Sequence, residues 1–152
     1  MTQEQGSIER DIHIEASPEV VFEVVTSPAH IKEWWGGVQT DLRPVPGAEG
    51  ELRWGTEHRE VFKVVDADPP RLFSFRWVYP DARIADDARS LLVTFALTPT
   101  ATGTQVRVTE TGFREMGWEV AVLEQAYQEH VEGWDLFVPQ LGAYAEKLAA
   151  SR

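Results

Sequence analysis

The feature that most constrains the fold is the first quarter of the sequence, where a strand pattern runs directly into a helix start. Apolar and polar residues alternate over Ile8–Glu15, as they do in a half-buried strand. Two Ser–Pro pairs follow, at 17–18 and 27–28, and each offers an N-capping serine before a proline suited to the first helical turn. The pattern therefore predicts two short helices, over 18–25 and 28–35.

Both predicted helices carry an apolar stripe at helical spacing, so both need an apolar surface to lie on. The stripes consist of Val20, Val21, Val24 and Val25 in the first helix and of Ile31, Trp34 and Trp35 in the second. The second stripe ends on a double tryptophan, and we expect both stripes to pack toward the interior.

The middle of the chain is predicted to be an antiparallel meander of six strands. Short segments rich in Val, Phe, Trp and Thr alternate with Gly, Pro or Asp, which is typical of strands joined by turns. The segments lie near 37–43, 50–54, 57–66, 71–79, 89–98 and 104–111. Reversals are expected at PVPGAEG (44–50), DADPP (66–70) and TPTATGT (98–104), with a longer acidic connection at 81–89.

The last third of the chain changes to helical period. A first helical piece can be drawn within 115–127, and a long amphipathic helix is predicted over 130–148. The face of this closing helix consists of Trp134, Phe137, Val138, Leu141, Tyr144, Ala145 and Leu148. Because proline lacks a backbone N–H, Pro139 is expected to distort the helix near 135–139.

These elements predict an α+β helix-grip fold. With the first strand added, about seven antiparallel strands would form a curved sheet, and its concave face is the one place where the closing helix can bury its stripe. A sheet curled around one helix commonly leaves a cavity near the helix ends.

Four segments in register carry a family resemblance. They are the N-terminal strand followed by A-S-P-E-x-V-F, T-S-P and W-W-G, then ADPPRLFSFRW (67–77), TPTATGTQVRVTETGF (98–113) and GWDLFVPQLGAYAEKL (133–148). Together they resemble bacterial proteins similar to the activator of Hsp90 ATPase, within the START/Bet v 1-like (SRPBCC) superfamily. The resemblance implies the helix-grip fold and an internal cavity. It also implies a role in stress response through a chaperone.

The charge balance argues against a nucleic-acid partner. Twenty-five acidic residues against 14 basic ones give a net charge of −11, which repels phosphate backbones. The absence of cysteine excludes disulfides and a thiol nucleophile. The polar segment MTQEQGSIER does not have the pattern of a signal peptide, and no run approaches the roughly 20 apolar residues of a membrane helix. We expect a single cytoplasmic domain over 1–152, without membrane insertion.

The abundance of aromatic residues predicts an apolar ligand cavity between the sheet and the closing helix. For any single ring, plain core packing is the simpler interpretation, and the sequence leaves open which face of strand 71–79 meets the helix. The candidate ligand-binding residues are Trp54, Phe62, Phe75, Arg76, Trp77, Phe95, Glu110, Trp134, Phe137, Val138 and Leu141.

Two of these candidates are charged residues that could face inward. Glu110 alternates with Val106 and Val108, and Arg76 lies in an aromatic strand. A charge inside an apolar cavity costs several kcal/mol unless it is paired, so each side chain would need a partner or a ligand. Arg10, in register with Ile8 on the first strand, is a candidate internal partner for Glu110.

The sequence indicates neither a metal site nor a catalytic nucleophile. The four histidines are scattered, and His58 with Glu60 is interpreted as a solvated strand end rather than a general base. No cofactor is expected. The function therefore stays between a module that binds a hydrophobic small molecule, a module that binds a protein such as a chaperone, and an enzyme built on the same cavity, in a monomer or homodimer.

Overall fold

The computed structural model describes residues 6–78 and 90–152. Within these ranges seven strands form one antiparallel sheet in the order β1-β7-β6-β5-β4-β3-β2. The strands are β1 (Ser7–Ile14), β2 (Gln39–Thr40), β3 (Glu49–Trp54), β4 (His58–Asp68), β5 (Leu72–Val78), β6 (Leu92–Pro99) and β7 (Thr104–Thr111). The predicted connection at 81–89 and the ends of two predicted strands, at 79 and 89, lie outside the described residues.

Three α-helices and one 3₁₀ turn accompany the sheet in the described ranges. They are α1 (Pro18–Thr26), α2 (Pro28–Trp34), the 3₁₀ turn (Arg114–Met116) and α3 (Val120–Ala150). The Ser17 hydroxyl accepts a hydrogen bond from the Val20 N–H at 3.2 Å, as expected of an N-cap. Ser27 also precedes a helix, but its side chain makes no capping bond; its N–H instead closes the end of α1 on the Glu23 carbonyl.

The closing helix is longer than the sequence analysis predicts. α3 is continuous over 31 residues from Val120 and includes most of the helical piece predicted separately within 115–127. The reason is that no proline or turn signal interrupts the chain between 120 and 130. The apolar stripe also continues from Trp134 toward the N-terminus of the helix, through Tyr127. The helical assignment also continues through Pro139, and a bend there stays a prediction.

The inner face of the sheet carries the aromatic residues. Phe73, Phe75 and Trp77 of β5 are each at most 6% exposed, and Phe73 and Phe75 pair in register with Phe95 and Val93 of β6. α1, α2 and α3 cover this face, where Phe22 meets Phe73 and Trp134 meets Phe95 edge to face. The helix-grip fold is therefore confirmed. The helices pack against the side of β5 that carries Phe73, Phe75 and Trp77.

The C-terminal half of α3 is docked tightly. Leu141 and Ala145 are fully buried, and at Gly142 an added Cβ would come within 2.7 Å of the Ile12 side chain. The chain end is held too: the Arg152 guanidinium donates to the Glu23 carboxylate at 2.8 and 3.0 Å. These bonds, aided by one from His30, lower the pKa of Glu23 to about 2 against the opposing effect of burial.

Truncating Leu141 tests this docking. Leu141→Ala should lower the free energy of unfolding by about 2–5 kcal/mol, because it removes a fully buried side chain from a packed site. Leu136→Ala is the matched control, since Leu136 is 55% exposed on the same helix. Urea unfolding of both variants checks the prediction, and equal stabilities would contradict it.

Candidate functional site

A cavity of about 470 Å³ lies between the N-terminal half of α3 and strands β3, β4 and β5. This volume falls within the range of sites that hold a small organic ligand, about 300–1,000 Å³. Its walls are formed by Trp35, Trp54, His58, Glu60, Trp77, Trp118, Ala126, Glu129, His130, Gly133, Trp134 and Phe137.

Five of the six tryptophans line this cavity, and Trp35 is the centre of the cluster. Its ring lies 5.7 Å from that of Trp54, 6.2 Å from that of Trp77 and 5.6 Å from that of Trp134. Trp34, the sixth, stacks on Trp35 with an interplanar angle of 6° and donates its indole N–H to the Val24 carbonyl. The rings support one another, so the wall is a connected aromatic surface.

Glu110 lies behind this wall and is the most buried charged side chain of the site. Strand alternation places it on the inner face of β7, opposite Ile8 of β1 and Val93 of β6. Its residue is 1% exposed. Burial of an unpaired carboxylate would cost several kcal/mol, so the side chain requires hydrogen-bond donors.

Three donors converge on this carboxylate. The Trp77 indole N–H donates to Oε2 at 2.8 Å, and the Trp134 indole N–H donates to Oε1 at 2.9 Å. Nδ1 of His130 also lies 2.8 Å from Oε1. We assign Nδ1 as the donor, because the carboxylate oxygen already acts as acceptor to an indole. Glu110 thus joins β7 to β5 and to two successive turns of α3.

This arrangement changes the acidity of His130. Burial disfavours the imidazolium, but the hydrogen bond and the negative charge of Glu110 outweigh it, aided by Glu60 and Glu129, and the pKa of His130 is raised. The His130 side chain is 29% exposed, whereas that of Glu110 has no exposed surface. The imidazole therefore lies between the buried carboxylate and the cavity.

A second imidazole–carboxylate pair lies on the opposite wall. Nε2 of His58 is 3.3 Å from Oε1 of Glu60, with side-chain exposures of 62% and 31%. The His58 ring also lies 5.4 Å from the Trp54 ring. With the exposed Glu129 across from it, this pair gives the cavity a polar mouth above an aromatic floor.

The structure places the candidate ligand-binding residues in four different settings. Trp54, Trp77, Trp134 and Phe137 line the cavity. A second group is buried core away from it: Phe62, Phe75, Phe95, Val138 and Leu141. Glu110 lies directly behind the wall. Arg76 is on the opposite face of β5 from Phe75 and Trp77, where its guanidinium donates to the Ser90 carbonyl and hydroxyl.

The prediction that Arg10 pairs with Glu110 is wrong. Its guanidinium points outward to Asp135, with Nε 2.6 Å from Oδ1, because the edge of β1 lies beside the exposed side of α3. The place that Arg10 was expected to fill is taken by two indoles and an imidazole.

Several lining residues escaped the sequence analysis: Trp35, His58, Glu60, Trp118, Ala126, Glu129, His130 and Gly133. The sequence pattern around His58 and Glu60 predicts a solvated strand end. The positions 126, 130, 133 and 137 are spaced along one face of a helix, but a helix predicted to begin at 130 separates position 126 from the other three.

Strand order, helix grip and cavity together define a START/Bet v 1-like protein. The family model described as activator of Hsp90 ATPase homolog 1-like protein matches residues 15–146. The chain belongs to this family. No curated protein sequence matches it at a significant level.

Solved structures share the fold. Protein MLL2253 from Mesorhizobium loti is 26% identical, with a TM-score of 0.76 over 93% of this chain and 97% of that one. The Aha1 dimer from Colwellia psychrerythraea is 20% identical, with a TM-score of 0.71 over 92% and 96% of the chains. DynU16, a protein of the dynemicin biosynthetic locus, is 23% identical with a TM-score of 0.71, and 97% of this chain matches 49% of it. The chain thus spans about half the length of DynU16.

Two further features concern only the described residues, 6–78 and 90–152. These residues contain no helix long and apolar enough to cross a membrane. They also contain no group of three or more His, Asp or Glu side chains placed to hold a metal ion.

The raised pKa of His130 predicts a pH-dependent contribution to stability. Because the folded pKa lies above the ordinary value of 6.5, the contribution is fully present below about pH 6.5 and is lost as the pH rises through the folded pKa. The stability difference between the parent and His130→Gln should therefore be larger at about pH 5.5 than at about pH 8.5. Urea unfolding at both pH values checks this, and a difference that is constant or grows with pH would contradict it.

Proposed function

We propose that this protein binds a planar aromatic small molecule in the tryptophan-lined cavity. The observation that carries the proposal is the convergence of five of the six tryptophans on one cavity of about 470 Å³. A folding core alone has no need to gather its indoles around an open space. Flat rings are the natural complement of such a wall, because offset and edge-to-face contacts add to the burial of apolar area.

The polar groups at the mouth of the cavity restrict the class of ligand that fits. Glu60 and Glu129 offer carboxylate acceptors, while His58 and His130 each present an imidazole. A ligand with hydroxyl or other donor groups at one edge of an aromatic system would satisfy these groups and the floor together. We therefore propose an amphipathic aromatic ligand rather than a purely hydrocarbon one.

Two considerations support a small-molecule role. The cavity has the volume of a small-molecule site, and its polar groups are gathered on one side. The fold neighbour DynU16 is a protein in the dynemicin biosynthetic locus.

A second candidate function is that of a protein-interaction module of the Hsp90-activator type. The match of the family model over residues 15–146 favours it. Under this hypothesis the chain would act on a chaperone through its surface, as a monomer or as a dimer like the Colwellia Aha1 protein. The cavity would then be a by-product of the fold.

Substitution of Phe137 tests the ligand proposal. Phe137→Glu places a charge in the aromatic wall and should abolish binding of hydroxyanthraquinones and flavonols. The parent should show changed tryptophan emission with these compounds, and at about 100 times Kd it should gain about 2.7 kcal/mol of stability. Leu136→Glu is the matched control, since the neighbouring side chain is 55% exposed and should leave binding unchanged.

Fluorescence titration and thermal unfolding measure both effects, with circular dichroism to show that the variants are folded. A saturated fatty acid of similar volume serves as the non-planar comparison and should bind more weakly. If the aromatic panel gives neither an emission change nor thermal stabilisation of the parent, the ligand proposal fails. Stimulation of Hsp90 ATPase activity by the chain would then favour the interaction module.

A further inference from the structure

We infer that the cavity is also a proton-transfer site, in which His130 acts as general base toward a bound aromatic molecule that carries an acidic C–H or O–H. Glu110 is the positioning residue of this pair. The inference rests on the proposed function, because the substrate must enter the same cavity.

The geometry separates the two nitrogens of the imidazole. Nδ1 is committed to Oε1 of Glu110 at 2.8 Å. Across the described residues no hydrogen bond is made by Nε2 of His130, and the ring forms part of the cavity wall. The lone pair of Nε2 is therefore the basic group that a ligand would meet. An imidazole held at one nitrogen by a carboxylate and open at the other is the arrangement that general-base catalysis requires.

The carboxylate is held more firmly than a packing role for His130 requires. Two indole donors, Trp77 and Trp134, already engage both oxygens of Glu110. The carboxylate therefore cannot rotate to follow the imidazole; instead it fixes the imidazole. The Phe113 ring packs edge to face on the imidazole at 5.5 Å and restricts its other motions. Fixed orientation is what converts a nearby base into an effective one.

The charged groups around the imidazole strengthen it as a base. Glu110 of β7 contacts it directly, Glu129 neighbours it on α3, and Glu60 faces it from β4 beside His58. The three carboxylates favour the imidazolium that forms when the proton is taken up, and a protonated His58 would oppose them. The raised pKa of His130 agrees with this balance.

The probe for this activity is 5-nitrobenzisoxazole, a flat bicyclic aromatic compound. Nε2 of His130 would take the proton from the isoxazole carbon, the C–H electron pair would complete a nitrile, and the N–O bond would break to release a nitrophenolate. The reaction is an isomerisation that needs no co-reactant, and the phenolate is followed by its absorbance. The reaction requires only a positioned base, and comparison of the parent with a His130 variant shows whether His130 is that base, since His58, Glu60 and Glu129 line the same cavity.

The experiment measures this elimination with the full chain and with three variants. His130→Gln keeps an N–H donor for Glu110 but removes the base, and the rate above buffer background should fall about 100-fold. His13→Gln is the matched control, because His13 is exposed on β1 outside the cavity, and it should react like the parent. Glu110→Gln should move the inflection of the pH–rate profile to lower pH, which a merely structural role would not do.

The outcomes are distinct. A parent profile that rises to a plateau with one inflection above about pH 6.5, absent in His130→Gln, supports the inference. A parent rate at buffer background, or a rate that His130→Gln leaves unchanged, overturns it. If the hydroxyanthraquinone still alters tryptophan emission in that case, the binding proposal stands and only the proton-transfer step fails. If His130→Gln does not fold, the Glu110→Gln profile decides the question, because Glu110 contacts His130: an inflection moved to lower pH supports the inference, and an unchanged inflection overturns it.

Discussion

The hydrogen bonds to Glu110 are the interaction on which the cavity depends. One carboxylate accepts from β5 through Trp77 and from α3 through Trp134 and His130. Because a buried carboxylate is costly unless its donors are in place, the position of α3 over the sheet is fixed at this point. The same bonds orient two of the indoles that form the cavity wall, so the geometry of the site and the docking of the helix have one cause.

The two halves of α3 play different roles because different side chains meet the sheet. In the C-terminal half, Leu141 and Ala145 are fully buried and Gly142 allows close approach to β1. In the N-terminal half, large rings meet from both sides, and their rigid shapes leave space between them. The tightly packed half therefore follows from Gly142 and Ala145, and the hollow half follows from the rings of Trp134 and of the tryptophans that face it.

Local rules predict the fold well and the site only partly. The cap at Ser17, the alternation in the strands and the stripe of the closing helix each have a short-range physical cause, and the structure confirms them. The inward position of Glu110 also follows from alternation. Its partners could not be derived, because Trp77, His130 and Trp134 meet it only through sheet register and helix placement. Arg76 shows the same limit: period two gives two faces but does not say which one is inner.

Hydrogen exchange of the indole N–H groups tests the central role of Glu110 most directly. In an ¹⁵N-labelled sample, the side-chain N–H of Trp77 and of Trp134 should exchange slowly, and Glu110→Ala should accelerate both. Trp34 is the internal control, because its indole donates to the Val24 carbonyl and should keep its protection in the variant. Fast exchange at Trp77 and Trp134 in the parent, or protection there that survives the loss of the carboxylate, would contradict the account.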